Sequence, residues 1–178
     1  MTTHETEIVT THAGYAALLG RPNVGKSTLL NRLIGQKISI TAPKPQTTRH
    51  VILGIQTLPD AQIVYVDTPG LHRQTRRAMN RYLNRAAASV LSYVDVVVFL
   101  IEALRWTEED EDVLQRLTEF QGPVVLAVNK VDRIVDKPRL LPFLRDIADK
   151  RGFAEVLPLA AIKGDNVAVL EGIIARLL

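Results

Sequence analysis

The sequence predicts an α/β fold: a six-stranded, mostly parallel sheet with one antiparallel strand and helices on both faces. Three observations carry this. Apolar, strand-like runs alternate with amphipathic helical stretches through the 178 residues, with no internal repeat or low-complexity block. The octapeptide Gly20-Arg21-Pro22-Asn23-Val24-Gly25-Lys26-Ser27 fits the pattern GxxxxGK followed by Ser or Thr, and it sits between such a run and such a helix. The strands flanking Pro59-Asp60 are joined by a link too short for a crossover helix, so that pair must be antiparallel.

Taken in order, Tyr15 to Leu19 reads as a short buried strand and Thr28 to Ile34 as a helix. Residues 35–49 follow, containing Pro43, Pro45 and Thr47-Thr48. Ile38 and Ile40 alternate there with polar residues as in an edge strand, which the two prolines argue against continuing. A segment this long between helix and strand is usually functional or mobile. His50 to Gln56 and Ala61 to Val66 form the hairpin, and the second strand runs into Asp67-Thr68-Pro69-Gly70. Met79, Tyr82, Leu83, Ala86 and Val90 recur at helical spacing. Val94 to Ile101 is a buried strand. Thr107 then caps a helix whose first turn holds Glu108, Glu109 and Asp110, where the helix dipole favours acids. Pro123 to Val128 is another buried strand, ending at Asn129-Lys130-Val131-Asp132. Leu140, Leu141, Leu144 and Ile147 mark a further helix, Glu155 to Leu159 the last strand, and Val167 to Leu177 the last helix. Residues 1–12 read as a loose polar tail and 13–178 as one domain, with nothing expected beyond it.

Composition narrows the class. Apolar residues make up 47% and charged residues 23%, the balance of a globular chain rather than a disordered one. No apolar run is long enough to span a bilayer, and the first twelve residues carry neither the basic nor the apolar segment of a signal peptide. Without cysteine there is no disulfide framework and no thiolate metal site, and none of the four histidines falls in metal-ligand spacing. A cytoplasmic protein is expected. The net charge of +3 is too small to establish a nucleic-acid partner.

The octapeptide has the chemistry of a polyphosphate cradle. Successive backbone N–H groups must curl round the phosphates, and Gly20 and Gly25 permit the approach. The helix that opens at Ser27 and Thr28 adds its own N–H groups and dipole. Lys26 is placed to reach the β and γ phosphates, and the Ser27 hydroxyl to ligate Mg²⁺.

Two further clusters stand at strand exits, where an α/β sheet presents ligand-facing groups. Asp67 can hold Mg²⁺ through its water, beside the Ser27 contact, and Gly70 can donate an N–H to a γ-phosphate. Asp132 can accept from N1–H and the 2-amino group of guanine. Adenine offers neither donor there, so a desolvated Asp132 rejects it. Asn129 can contact the guanine N7 edge or tie loops together, and the Lys130 stem can lie along the base plane.

In this order, the motifs resemble those of GTPases built on the P-loop NTPase, small G-protein, three-layer sandwich. With Gln46-Thr47-Thr48-Arg49-His50, Asp67-Thr68-Pro69-Gly70-Leu71-His72 and Arg105-Trp106-Thr107, the chain is similar to the Era family. These are bacterial ribosome-assembly GTPases of the wider TrmE–Era–EngA group, and the likeness runs from about Gly14 to the C-terminus. It implies a Mg²⁺-dependent enzyme that hydrolyses GTP to GDP and phosphate. Nucleotide contacts would fall on 20–28, on 67–71, on Asn129, Lys130 and Asp132, and on Ala160 and Ala161. Lys26, Thr48 and Gly70 would serve catalysis. Thr48 would ligate Mg²⁺ from switch I (36–49), with Thr47 the lesser candidate, and switch II would run from Asp67 to about Arg77. The position of Asn23 implies a K⁺ ligand that helps supply transition-state charge.

Three departures bear on mechanism. Leu71 stands where many small GTPases carry a water-orienting glutamine, so slow intrinsic hydrolysis is expected. A surface role fits His72 better than a catalytic base. The family's Ser-Ala at the guanine site is Ala160-Ala161 here; the Ala161 N–H can still meet guanine O6, while the serine hydroxyl is gone.

Arg73, Arg77, Arg81 and Arg85 recur every four residues opposite the apolar face of the Met79–Val90 helix, either a solvated face or a nucleotide-gated contact with RNA, the ribosome or a second domain. By resemblance the partners are the small ribosomal subunit and its 16S rRNA, bound mainly through a C-terminal KH domain whose GxxG signature this sequence lacks. A monomer is expected, with peripheral contact at the inner face of the cell membrane also implied. Two rival readings stay open: a related ribosome-assembly or tRNA-modification GTPase, and a nucleotide-gated interaction module with negligible turnover.

Overall fold

The computed structural model describes residues 11–35, 52–66 and 91–178. The sheet has six strands: β1 (His12–Leu19), β2 (Ile52–Thr57), β3 (Ala61–Val66), β4 (Val96–Glu102), β5 (Val124–Asn129) and β6 (Glu155–Pro158). Their spatial order is β2-β3-β1-β4-β5-β6, with β2 antiparallel to β3 and every other neighbouring pair parallel. The fold class read from the sequence is the one observed. Among the described residues four α-helices accompany the strands: α1 (Lys26–Ile34), α2 (Glu108–Arg116), α3 (Leu140–Ala148) and α4 (Val167–Leu177). The helix expected around Met79–Val90 and the edge strand near Ile38 lie outside the described residues.

Strand alternation builds the two sides of the core. On one face Ala16, Leu18, Ile63, Tyr65, Val98, Leu100 and Ala127 pack with Leu29 and Leu33 of α1 and Leu170 and Ile174 of α4. On the other, Ala17, Leu19, Val97, Phe99, Leu126 and Val128 pack with Val113 and Leu114 of α2 and Ile147 of α3. Because β4 and β5 are covered on both sides, they read as continuous apolar runs instead of alternating ones.

β1 begins three residues before the expected Tyr15. His12-Ala13-Gly14 lacks an apolar pattern, yet it continues the parallel ladder from His12 opposite Ala61, and the His12 N–H donates to Asp60 O at 2.9 Å. α2 opens as expected at Thr107, with a full capping box. Thr107 Oγ1 accepts from the Asp110 N–H at 3.4 Å, while Asp110 Oδ2 accepts from the Thr107 N–H at 3.0 Å.

Parallel order puts the carboxyl ends of β1, β4, β5 and β6 at one edge. The octapeptide, Glu102, Asn129 and Ala160 therefore converge there, the edge at which doubly wound sheets bind ligands.

Candidate nucleotide site

The loop after β1 is shaped by backbone that few residues adopt. Gly25 lies at φ +107°, and a Cβ there would collide with the Asn129 amide nitrogen. Val24 is fully buried and plugs the loop into the core, whereas Asn23, at φ +63°, is exposed. Gly25 precedes α1 without a side-chain cap, and the first turn of α1 holds no acidic residue. Its leading N–H groups thus remain available to an anion. The Ser27 and Thr28 residues are exposed at that start. The Ser27 hydroxyl has no protein partner among the described residues, which leaves its oxygen open to a Mg²⁺ ion.

Lys26 is folded back across its own loop. Its ammonium donates to Gly20 O at 2.7 Å and Arg21 O at 2.6 Å. Burial, and secondarily the Arg21 charge, push its pKa down to about 8, with Asp110 opposing. A charged amine held in so unfavourable a setting is primed for the negative charge of phosphate.

Asn129, at the end of β5, is 3% exposed and ties loops together, one of its two expected roles. Its Nδ2 donates to Val24 O at 2.7 Å, and its Oδ1 accepts from the Ala161 N–H at 2.9 Å. The Ala161 N–H, expected at guanine O6, is thus held by the Asn129 amide three residues past the end of β6. Ala160 and Ala161 are both buried. Lys130 adopts the left-handed conformation at φ +67° and starts the short 3₁₀ turn Val131–Arg133 that carries Asp132. Asp132 Oδ1 is buried and lacks a hydrogen-bond partner among the described residues.

A charge network missed by the sequence reading lies beside these loops. Arg21, expected among the nucleotide contacts, points its side chain inward and is only 7% exposed. Its Nε donates to Asp110 Oδ2 at 3.1 Å and its Nη2 to Glu102 Oε2 at 3.0 Å. Glu102 Oε2 also pairs with the Lys130 ammonium at 3.0 Å. Burial alone would raise the Glu102 pKa, but the hydrogen bonds from Lys130 and Arg21 outweigh it and lower it. The Thr-x-x-Asp spacing could have flagged Asp110 as a cap; no local signal ties it to Arg21, 89 residues away. Pro22, Asn23, Glu102, Arg105 and Lys130 line a polar cleft of about 590 Å³ beside the network.

Thr47, Thr48, Asp67, Thr68, Pro69, Gly70, Leu71, His72 and the Arg73–Arg85 stripe lie outside the described residues. Among the described residues, no group of three or more His, Cys, Asp or Glu side chains could hold a metal, and no helix is long and apolar enough to cross a membrane.

A family model described as 50S ribosome-binding GTPase matches residues 15–130. The chain belongs to that family. Within this GTPase family it is 54% identical over 170 residues to GTPase Era of Azotobacter vinelandii, covering 96% of this chain and 57% of the relative. It is 55% identical over 165 residues to GTPase Era of Marinobacter nauticus, covering 93% and 54%. A crystal structure of Era in complex with MgGDPNP and a 16S ribosomal RNA segment superposes with a TM-score of 0.77 at 37% identity, covering 94% of this chain and 57% of that one. An Aquifex aeolicus Era variant bound to GDP and AlF4⁻ gives 0.75 at 37%, covering 93% and 57%. The resemblance to Era is borne out, and the chain spans somewhat over half the length of the curated relatives it matches.

Proposed function

We propose that this chain binds GTP and GDP with Mg²⁺, hydrolyses GTP to GDP and phosphate, and acts as a switch in maturation of the small ribosomal subunit. The observation that carries the guanine reading is Asp132 Oδ1, a buried carboxylate oxygen with no partner among the described residues, three residues after the Asn129 that is bonded to the phosphate loop at Val24. Guanine N1–H and its 2-amino group would satisfy this acceptor; adenine would leave it orphaned.

The chain's own residues have separable tasks. On nucleotide binding, Lys26 would exchange the Gly20 and Arg21 carbonyls for phosphate oxygens, while the α1 N–H groups hold the same anion. Ser27, with Thr48 and Asp67, would hold Mg²⁺, which neutralises charge on the β and γ phosphates. Gly70 would donate to the γ-phosphate, and Asn23 would contribute to a K⁺ site. The guanine end would rest on Asp132, Lys130, Ala160 and the Asn129-braced Ala161 loop. The 16S rRNA role is supported by the relative that was solved with that RNA. A cytoplasmic location follows from such a role, and peripheral membrane contact belongs to the same proposal.

Asp132→Asn tests the base reading. It should abolish GDP binding and confer binding of xanthosine diphosphate, whose C2 carbonyl accepts where guanine donates. Unchanged GDP affinity in this variant would refute it. Leu71 favours a second reading, a switch with negligible turnover, because an apolar side chain cannot orient water. Single-turnover hydrolysis with Mg²⁺ and K⁺ separates the two.

A further inference from the structure

We propose that Glu102 is a positioning residue for the guanine nucleotide: it fastens the Lys130 ammonium to Arg21 of the phosphate loop, so the Lys130 stem is ordered before the base arrives. The inference rests on the guanine reading above.

Geometry concentrates the tie on one atom. Glu102 Oε2 accepts from Arg21 Nη2 at 3.0 Å and pairs with Lys130 Nζ at 3.0 Å, so a single carboxylate oxygen bridges the two loops. Glu102 is the last residue of β4 and lies in register with Asn129, next to Lys130 in the chain, so the bridge stands on paired strands. Arg21 is in turn pinned by Asp110, which is fully buried and held by the Thr107 N–H and hydroxyl. Charges therefore alternate from Asp110 through Arg21 and Glu102 to Lys130, and the set is neutral as a whole. That neutrality lets it sit half-buried: the Glu102 and Lys130 side chains are only 22% and 19% exposed.

The consequence for binding is entropic. A lysine stem that covers a base must be held still, and a free one loses its rotamers when ligand binds. Glu102 moves that loss from binding to folding. On the other side Asn129 joins Val24 to Ala161, so the phosphate and guanine loops are tied together at two separate points.

The test is the dissociation rate of a fluorescent GDP from wild type and from Glu102→Gln, Lys130→Met and the double variant. Methionine keeps an apolar stem but loses the tether, so it probes the same tie should Glu102→Gln fail to fold. Each single change is expected to speed release about fivefold, the effect of freeing one long side chain. The double variant should be no faster than either single one, and Lys130→Arg, which keeps a cation for Glu102, should return the rate to near wild type. Wild-type release rates in either single variant, effects that multiply in the double variant, or an arginine no better than methionine would overturn the proposal. Wild-type protein that fails to bind GDP would refute the guanine reading itself, and this proposal with it.

Discussion

Replacing Asn129 by alanine should loosen the protein and its nucleotide together. The change removes both atoms that join the phosphate loop to the guanine loops: Nδ2 on Val24 O at 2.7 Å and Oδ1 on the Ala161 N–H at 2.9 Å. Val24 and Ala161 are essentially fully buried, so each loses a partner that water does not readily replace. An unsatisfied buried polar group costs about 1–3 kcal/mol. Two such groups, relieved in part by local collapse, give a stability loss of about 2–4 kcal/mol in urea unfolding. With the loops no longer held at one spacing, GDP affinity should fall at least about tenfold, equivalent to about 1.4 kcal/mol. Asn129→Asp keeps an acceptor for Ala161 but sets an oxygen against the Val24 carbonyl, so it should also weaken binding. Gly25→Ala drives a methyl group into the same amide, and in an Asn129→Ala background that clash is gone. Its destabilisation should therefore shrink in the double variant. An unfolding midpoint and a GDP affinity both unchanged in Asn129→Ala would refute the reasoning.

Other expectations concern charge. Lys26 in the free protein has its pKa pushed down to about 8, and phosphate favours its charged form, so GDP binding at pH 8 should take up about half a proton and at pH 6.5 almost none. Calorimetry in buffers of different ionisation enthalpy reads this directly; affinity should fall as pH rises above 8, and Lys26→Ala should remove the slope. Without nucleotide, the unfolded chain binds more protons at Lys26 than the folded one between about pH 8 and 10.5, so this residue makes stability rise across that window. Asp110→Ala leaves Arg21 to share Glu102 with Lys130, giving the network a net positive charge, and breaks the α2 capping box; it should cost about 3 kcal/mol in chemical denaturation. Asp110→Asn, which keeps the shape, should cost less.

The fold was legible because its signals are local or periodic. Val96 to Ile101 and Val124 to Val128 are apolar throughout, the hairpin link is only the three residues Leu58 to Asp60, and Thr107 announces its helix with a cap. The start of β1 was not, since His12 and Gly14 join the sheet through backbone bonds that side-chain patterning does not record. In the site, the sequence named Asn129 and Asp132 but left open what Asn129 touches. Distances settle that, because both its partners come from remote segments, 105 and 32 residues away. Glu102 and Asp110 escaped for the same reason: a carboxylate at a strand end or in an acidic first turn looks ordinary until Arg21 is placed between them.

Trp106 carries one more consequence. It precedes the Thr107 cap, donates its indole N–H to Glu111 at 3.0 Å, lies 4.8 Å beneath the Lys150 ammonium, and packs edge-on to Phe99. It is also the single tryptophan of the sequence. An ammonium over an indole and a carboxylate on its nitrogen both shape emission, so the protein carries its own optical reporter at the root of α2. A strain that reaches that helix from Arg21 through Asp110 would register as a change in intrinsic fluorescence, with no label attached to nucleotide or protein.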